Sequence, residues 1–179
     1  MTSLVFLSGS FALAKDLNTS ETKAETHSIA TAKEYRAQFG VMGGIADTNK
    51  GGKSSGEFGI NFGFQPFIPI GLGFEASGSK YETSNGELKD KTNLLLTGSY
   101  NFSGTTNVFR DTYIGAAMGL IVRSENSDAT VGPLAGFDIP LKPAKNVSAL
   151  TIGANAKYLF SNATEVEGVA VNGVLKYWF

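Results

Sequence analysis

The feature that most constrains this chain is an alternation of apolar and polar residues with a period of two, repeated in eight segments between Tyr35 and Phe179. Successive side chains of a strand point to opposite faces, so each such run makes a strand with one apolar and one polar side. The second run, Gly56 to Gln65, is the clearest: Phe58, Ile60, Phe62 and Phe64 alternate with Glu57, Gly59, Asn61 and Gly63. The others span Tyr35 to Ile45, Ile70 to Tyr81, Thr92 to Phe102, Thr112 to Arg123, Val131 to Ile139, Ala149 to Phe160 and Val169 to Phe179. Leu95 breaks the alternation of the fourth run. Pro133 removes a ladder donor from the sixth, which predicts a bulge or irregularity there. Clusters of Gly, Asn, Ser and charge separate the runs, as turns require.

Eight segments of roughly nine to twelve residues match tilted strands that cross a bilayer. An even count lets the last strand close on the first, which removes the open edge that lipid cannot satisfy. A soluble barrel carries the same period with its apolar face inward, so alternation alone leaves the outward face open. The composition of the two faces decides it. The polar faces are rich in Gly, at positions 59, 63, 71, 73, 115, 119, 132, 136 and 153, as a crowded lumen needs. The apolar faces are dense in Phe, Leu, Ile and Tyr, which suits a lipid-facing belt. The expected fold is all-β: an eight-stranded antiparallel up-and-down transmembrane β-barrel over residues 35–179. Tyr35, Phe64, Phe102, Tyr177 and Phe179 are expected near one rim, and Tyr158 and Phe160 near the other.

The first 34 residues have a different character. Leu4 to Ala14 is a short apolar segment ending in Ala12-Leu13-Ala14, the small-x-small pattern of a signal-peptidase site, although Met1-Thr2-Ser3 carries no basic residue. Residues 1–14 are therefore expected to be a signal peptide. Residues 15–34 are polar, without an apolar period, and are expected to form a flexible periplasmic tail.

Several chemistries are excluded or disfavoured. With no Cys there are no disulfides, thiolate metal sites or cysteine nucleophiles, and the single His27 rules out a multi-histidine metal site within one chain. His27 lies in the polar tail, away from any strand serine it would need as a catalytic base. Gly51-Gly52-Lys53-Ser54 imitates the end of a phosphate-binding loop, but Asp47 stands where that loop needs Gly, and no helix is expected to follow. A net charge of −1 offers no field for nucleic acid. No catalytic, cofactor or metal site is expected, and no nucleic-acid partner.

The last strand carries the most specific signal. Val171, Gly173, Leu175, Tyr177 and Phe179 fall at every second position up to the final residue. This resembles the terminal signature of Gram-negative outer-membrane barrels, which the barrel-assembly machinery recognises. With the strand count, residues 35–179 resemble the small OmpA-type or opacity-protein eight-stranded barrels. The resemblance implies a bacterial outer-membrane location, both termini in the periplasm, contact with outer-membrane lipid and lipopolysaccharide, and a monomer. It further implies extracellular loops near 46–55, 80–91, 123–130 and 161–168, and periplasmic turns near 65–69, 103–111 and 140–148.

Seven charged residues fall on inward positions: Arg36, Glu57, Glu75, Arg123, Asp138, Lys157 and Lys176. Charges away from water should pair, and eight strands enclose an interior that side chains can just fill. The expectation is a salt-bridged, largely closed lumen in a non-enzymatic barrel with a structural or surface-interaction role. A narrow porin-like channel is the alternative. A lipid-modifying enzyme or a soluble lipocalin-like binder fits the residues less well.

Overall fold

The computed structural model describes residues 36–48, 53–67, 69–102, 112–141 and 149–179; for Arg36, Pro66, Phe67 and Ala149 only the backbone is described. The strands are β1 (Arg36–Thr48), β2 (Ser55–Phe67), β3 (Ile70–Glu82), β4 (Leu88–Asn101), β5 (Thr112–Arg123), β6 (Ser127–Pro140), β7 (Ala149–Ser161) and β8 (Gly168–Trp178). Each pairs antiparallel with its neighbours, and β8 closes on β1. The Phe179 amide donates to the Ala37 carbonyl at 3.0 Å, which carries the closing seam to the end of the chain. Followed round the eight ladders, the register returns to β1 displaced by about ten residues, a stagger that tilts the strands by roughly 40°. One end of the barrel carries both ends of the strand sequence and is called the terminus end. The other carries the connections after β1, β3, β5 and β7 and is called the loop end.

The strands run longer than the alternation predicts. β4 begins at Leu88 rather than Thr92, and β6 at Ser127 rather than Val131. Polar composition makes these stretches read as loop, yet the ladder continues through Lys80↔Asp90, Tyr81↔Lys89 and Glu82↔Leu88. The loop-end connections are correspondingly short. The 83–87 turn is closed by Gly86 N–H to Thr83 C=O at 2.9 Å, and Gly86 takes a positive φ of 80° that a side chain resists. The irregularity expected at Pro133 takes the form of a lapse in the ladder rather than a bulge: Gly132 and Pro133 are unpaired to β7, and the register is the same on both sides. The register shift lies instead between Phe64 and Phe67, where Pro66 supplies no N–H.

The two faces of the wall are inverted relative to a water-soluble barrel. Large apolar side chains stand exposed outside, among them Phe58 at 73%, Leu96 at 60% and Ile45 at 60%, while Glu57 and Thr151 are fully buried inside. Aromatic pairs border the belt. Tyr100–Phe102 and Tyr177–Phe179 sit at the terminus end with centroids 5.4 Å apart, and Tyr158–Phe160 at the loop end at 4.6 Å. An exposed band of this size belongs in hydrocarbon, and the architecture is that of a transmembrane β-barrel. The expected signal peptide, tail, His27 and Tyr35 lie outside the described residues, as do 103–111 and most of 140–148.

Candidate functional site in the barrel lumen

Among the described residues, the lumen is where the fold gathers chemistry-bearing side chains, because period-two strands in a closed barrel deliver every second residue to one enclosed space. At its centre Lys157 on β7 bridges two carboxylates. Its Nζ lies 3.0 Å from Glu57 on β2 and is ion-paired also with Glu75 on β3. Glu57 is held by four side-chain donors. It accepts from Lys157, from Ser77 Oγ at 2.5 Å, from Asn93 Nδ2 at 3.3 Å and, on its other oxygen, from Asn172 Nδ2 at 3.2 Å. A buried carboxylate loses several kcal/mol of hydration, about what such a set of charge-assisted donors offsets. Gly44 makes room for this cluster, since a Cβ there would stand 2.6 Å from Asn172 Oδ1 and closer still to the Val171 carbonyl.

Beside the charged half of this level lies an apolar half. Leu95, Ala117 and Leu159 are buried together with Leu134 packed against them. Leu95, which breaks the alternation of its strand, is fully buried and is paired across the ladder with Glu75, as Leu134 is with Lys157.

Towards the loop end a second layer closes over the first. Val166, in the β7–β8 connection, is fully buried against Tyr81 and Ile121, and its carbonyl accepts from Lys91 Nζ at 3.2 Å. Arg123 pairs with Asp128 at 2.5 Å, reaches Glu165 at 3.8 Å and lies 5.6 Å over the Tyr81 ring. Towards the terminus end, Lys176 pairs with Asp138 at 2.6 Å and lies 4.9 Å over Tyr113. Gly136 leaves space for that ring, because a Cβ there would meet Tyr113 Oη at 2.5 Å. Trp178 Nε1 donates to Thr151 Oγ1 at 3.3 Å.

Between these layers lies a small chamber of about 90 Å³, lined among others by Gln38, Asn61, Thr97, Asn155 and Asp138. Gln38 Oε1, Asn61 Oδ1, Asn155 Oδ1 and Asp138 Oδ1 are buried there without a protein donor. The space suits a few waters, each holding two to four such groups.

Of the seven charges expected in one network, the structure brings Glu57, Glu75 and Lys157 together and pairs Asp138 with Lys176. Arg123 belongs to a separate loop-end pair, and the side chain of Arg36 lies outside the described residues. Lys91, Asp128, Ser77, Asn93, Asn172 and Tyr113 were missed. The signal for Lys91 and Asp128 was inward parity carried past the apolar run: Lys91 lies two residues before Asn93, and Asp128 two before Thr130.

The fold and its interior define an eight-stranded antiparallel transmembrane barrel with a lumen lined by buried ion pairs and apolar side chains. Among solved structures, that of Neisserial surface protein A shares this fold: the TM-score is 0.53 at 15% identity, over 80% of this chain and 94% of that one. No family model and no curated protein sequence matches the chain.

Proposed function

We propose that the protein is a non-enzymatic barrel of the bacterial outer membrane, with a structural or surface-interaction role and a closed lumen. The observation that supports this reading is one level of the lumen where the ion-paired Glu57, Lys157 and Glu75 adjoin the buried Leu95, Ala117 and Leu159 with Leu134. A conducting pore needs a continuous wet path, and side chains that are ion-paired or buried against one another disfavour it there. Ser77, a nucleophile by type, is 2% exposed and spends its hydroxyl hydrogen on Glu57, which supports a non-enzymatic interior.

The exposed belt supports contact with outer-membrane lipid and lipopolysaccharide. Val171, Gly173, Leu175 and Tyr177 on β8 and Phe179 just after it all stand exposed on the outer face, as a recognition strand for the barrel-assembly machinery would. Both termini are assigned to the periplasm and the short 83–87, 124–126 and 162–167 connections to the cell surface. The protein acts as a monomer. A second reading, a narrow path for ions, is favoured by one observation: the chamber with four unpartnered oxygens opens a polar space in half of the lumen.

The placement is tested by expressing the full chain in a Gram-negative host with Asn85→Cys or Ser103→Cys. A membrane-impermeant maleimide should label the first on intact cells and the second only after the outer membrane is opened. The reverse pattern contradicts the orientation, and recovery of the chain in the soluble fraction contradicts the membrane assignment.

A further inference from the structure

The loop-end connections are held in different ways. The 83–87 turn closes on itself through Thr83 N–H to Glu87 C=O at 2.8 Å and Gly86 N–H to Thr83 C=O at 2.9 Å. The 124–126 turn does the same through Arg123 N–H to Asn126 C=O at 2.8 Å. Residues 84–87 and 124–126 stand exposed. The 162–167 connection turns inward instead. Beyond its own bond, Val166 N–H to Ala163 C=O at 3.1 Å, it is held by side chains of four strands. Val166 packs on Tyr81 of β3 and Ile121 of β5, its carbonyl accepts from Lys91 of β4, and Glu167 accepts from Tyr158 Oη of β7 at 2.7 Å.

We propose that residues 163–166 form a plug that opens and closes the loop-end mouth of the lumen as one unit, with Lys91 setting the balance between the two states. The apolar contact that favours closure is narrow: Val166 is fully buried, and Ala163 packs only partly buried beside it. The tether from Glu165 is loose, at 3.8 Å from Arg123 and 31% exposed. Arg123 has its closer partner, Asp128 at 2.5 Å, in its own β5–β6 hairpin, so release of the plug leaves that guanidinium paired. The Tyr158–Glu167 bond fastens the base of the connection against β7 and need not break. Lys91 opposes closure. It is 6% exposed, none of the ion pairs among the described residues includes it, and the acceptor they give its Nζ is the Val166 carbonyl at 3.2 Å. An ammonium has three N–H donors, and burying one with a single neutral acceptor is costly. Opening the plug returns Lys91 to water and exposes Val166, so burial of one side chain stands against dehydration of the other in a single equilibrium. The level beneath has no such conflict, because Lys157 lies between two carboxylates carried by strands.

The test uses the full chain in nanodiscs, where both barrel ends are accessible and the orientation in the cell does not enter. The chain has no Cys, so single-cysteine variants report one site each. Ile121→Cys, which lies under Val166, should react with a polar maleimide on the order of a hundredfold more slowly than the exposed Asn85→Cys, as a local opening requires. Adding Val166→Ala should speed that labelling about tenfold, the effect of removing two methyl groups from the contact. Adding Lys91→Met should slow it about fivefold, because the closed state no longer dehydrates a charge. The opposite signs are the readout, since two merely destabilising substitutions would both speed it. Heat-shifted migration verifies that each variant is folded. The inference rests on the closed-lumen reading only in that the Lys157 level stays shut beneath the plug, which Leu159→Cys reads separately by remaining unlabelled. Four results overturn the proposal: Ile121→Cys as inert as Leu159→Cys in every background, Ile121→Cys as reactive as Asn85→Cys, shifts of the same sign in the two variants, or labelling of Leu159→Cys in step with Ile121→Cys.

Discussion

Phe74 and Glu75 are neighbours in β3 and inhabit opposite media: Phe74 is 40% exposed on the outer wall and Glu75 is 5% exposed in the lumen. The same contrast repeats at Phe58 beside Glu57 and at Leu96 beside Leu95. Outside, any apolar side chain of reasonable size serves, because lipid adapts to its shape. Inside, each group is tied to named partners. The outer face therefore tolerates variation in shape but not in charge, and the inner face tolerates neither without a compensating change. This difference can be broken or sharpened by substitution.

The largest effect is expected at Lys157. Lys157→Ala leaves Glu57 and Glu75 facing each other without a cation, and should cost about 3–5 kcal/mol in urea unfolding of the lipid-reconstituted barrel. Replacing the trio together, Glu57→Gln, Glu75→Gln and Lys157→Met, should recover most of that loss, because an apolar or neutral isostere carries no uncompensated charge. Equal losses in the single and triple variants would show that the cost is packing rather than charge. On the outer wall, Leu96→Arg should cost about 2–4 kcal/mol by the same assay, as for a cation near the bilayer midplane. A cost near zero would place Leu96 outside the hydrocarbon. Lys176→Met at the terminus end should cost about 2 kcal/mol, since it strips Asp138 of its one short donor in a half-buried site. The smallest effect is expected for Lys80→Ala. Lys80 and Asp90 are exposed and 3.9 Å apart, so the loss should stay below about 0.5 kcal/mol.

Much of this architecture was legible because period-two alternation reports a strand and its two faces directly. β5 begins and ends where its apolar run does, at Thr112 and Arg123. What escaped was non-local. Whether a polar stretch such as Leu88 to Lys91 remains in the ladder depends on the partner strand, Ser79 to Glu82, and not on its own composition. Pro133 interrupts the ladder to β7 without shifting its register, as its missing donor suggests, while the one register shift in the ladders falls next to Pro66, which the alternation did not flag. Arg123 pairs with Asp128, which comes from a segment that read as loop. Val166 illustrates the same limit, for only the closed fold shows that a valine in a Ser-Asn-Ala-Thr-Glu connection turns inward and caps Tyr81 and Ile121.

A lumen closed at the Lys157 level passes no current, and planar-bilayer recording of the refolded chain reads this without an intermediary. The wild-type barrel should leave the bilayer silent, and discrete conductance steps should appear once Lys157→Gly and Leu159→Gly are combined at that level. Discrete steps from the wild-type protein, with ion selectivity altered by Glu75→Gln, would contradict it and make the chamber part of a conducting path.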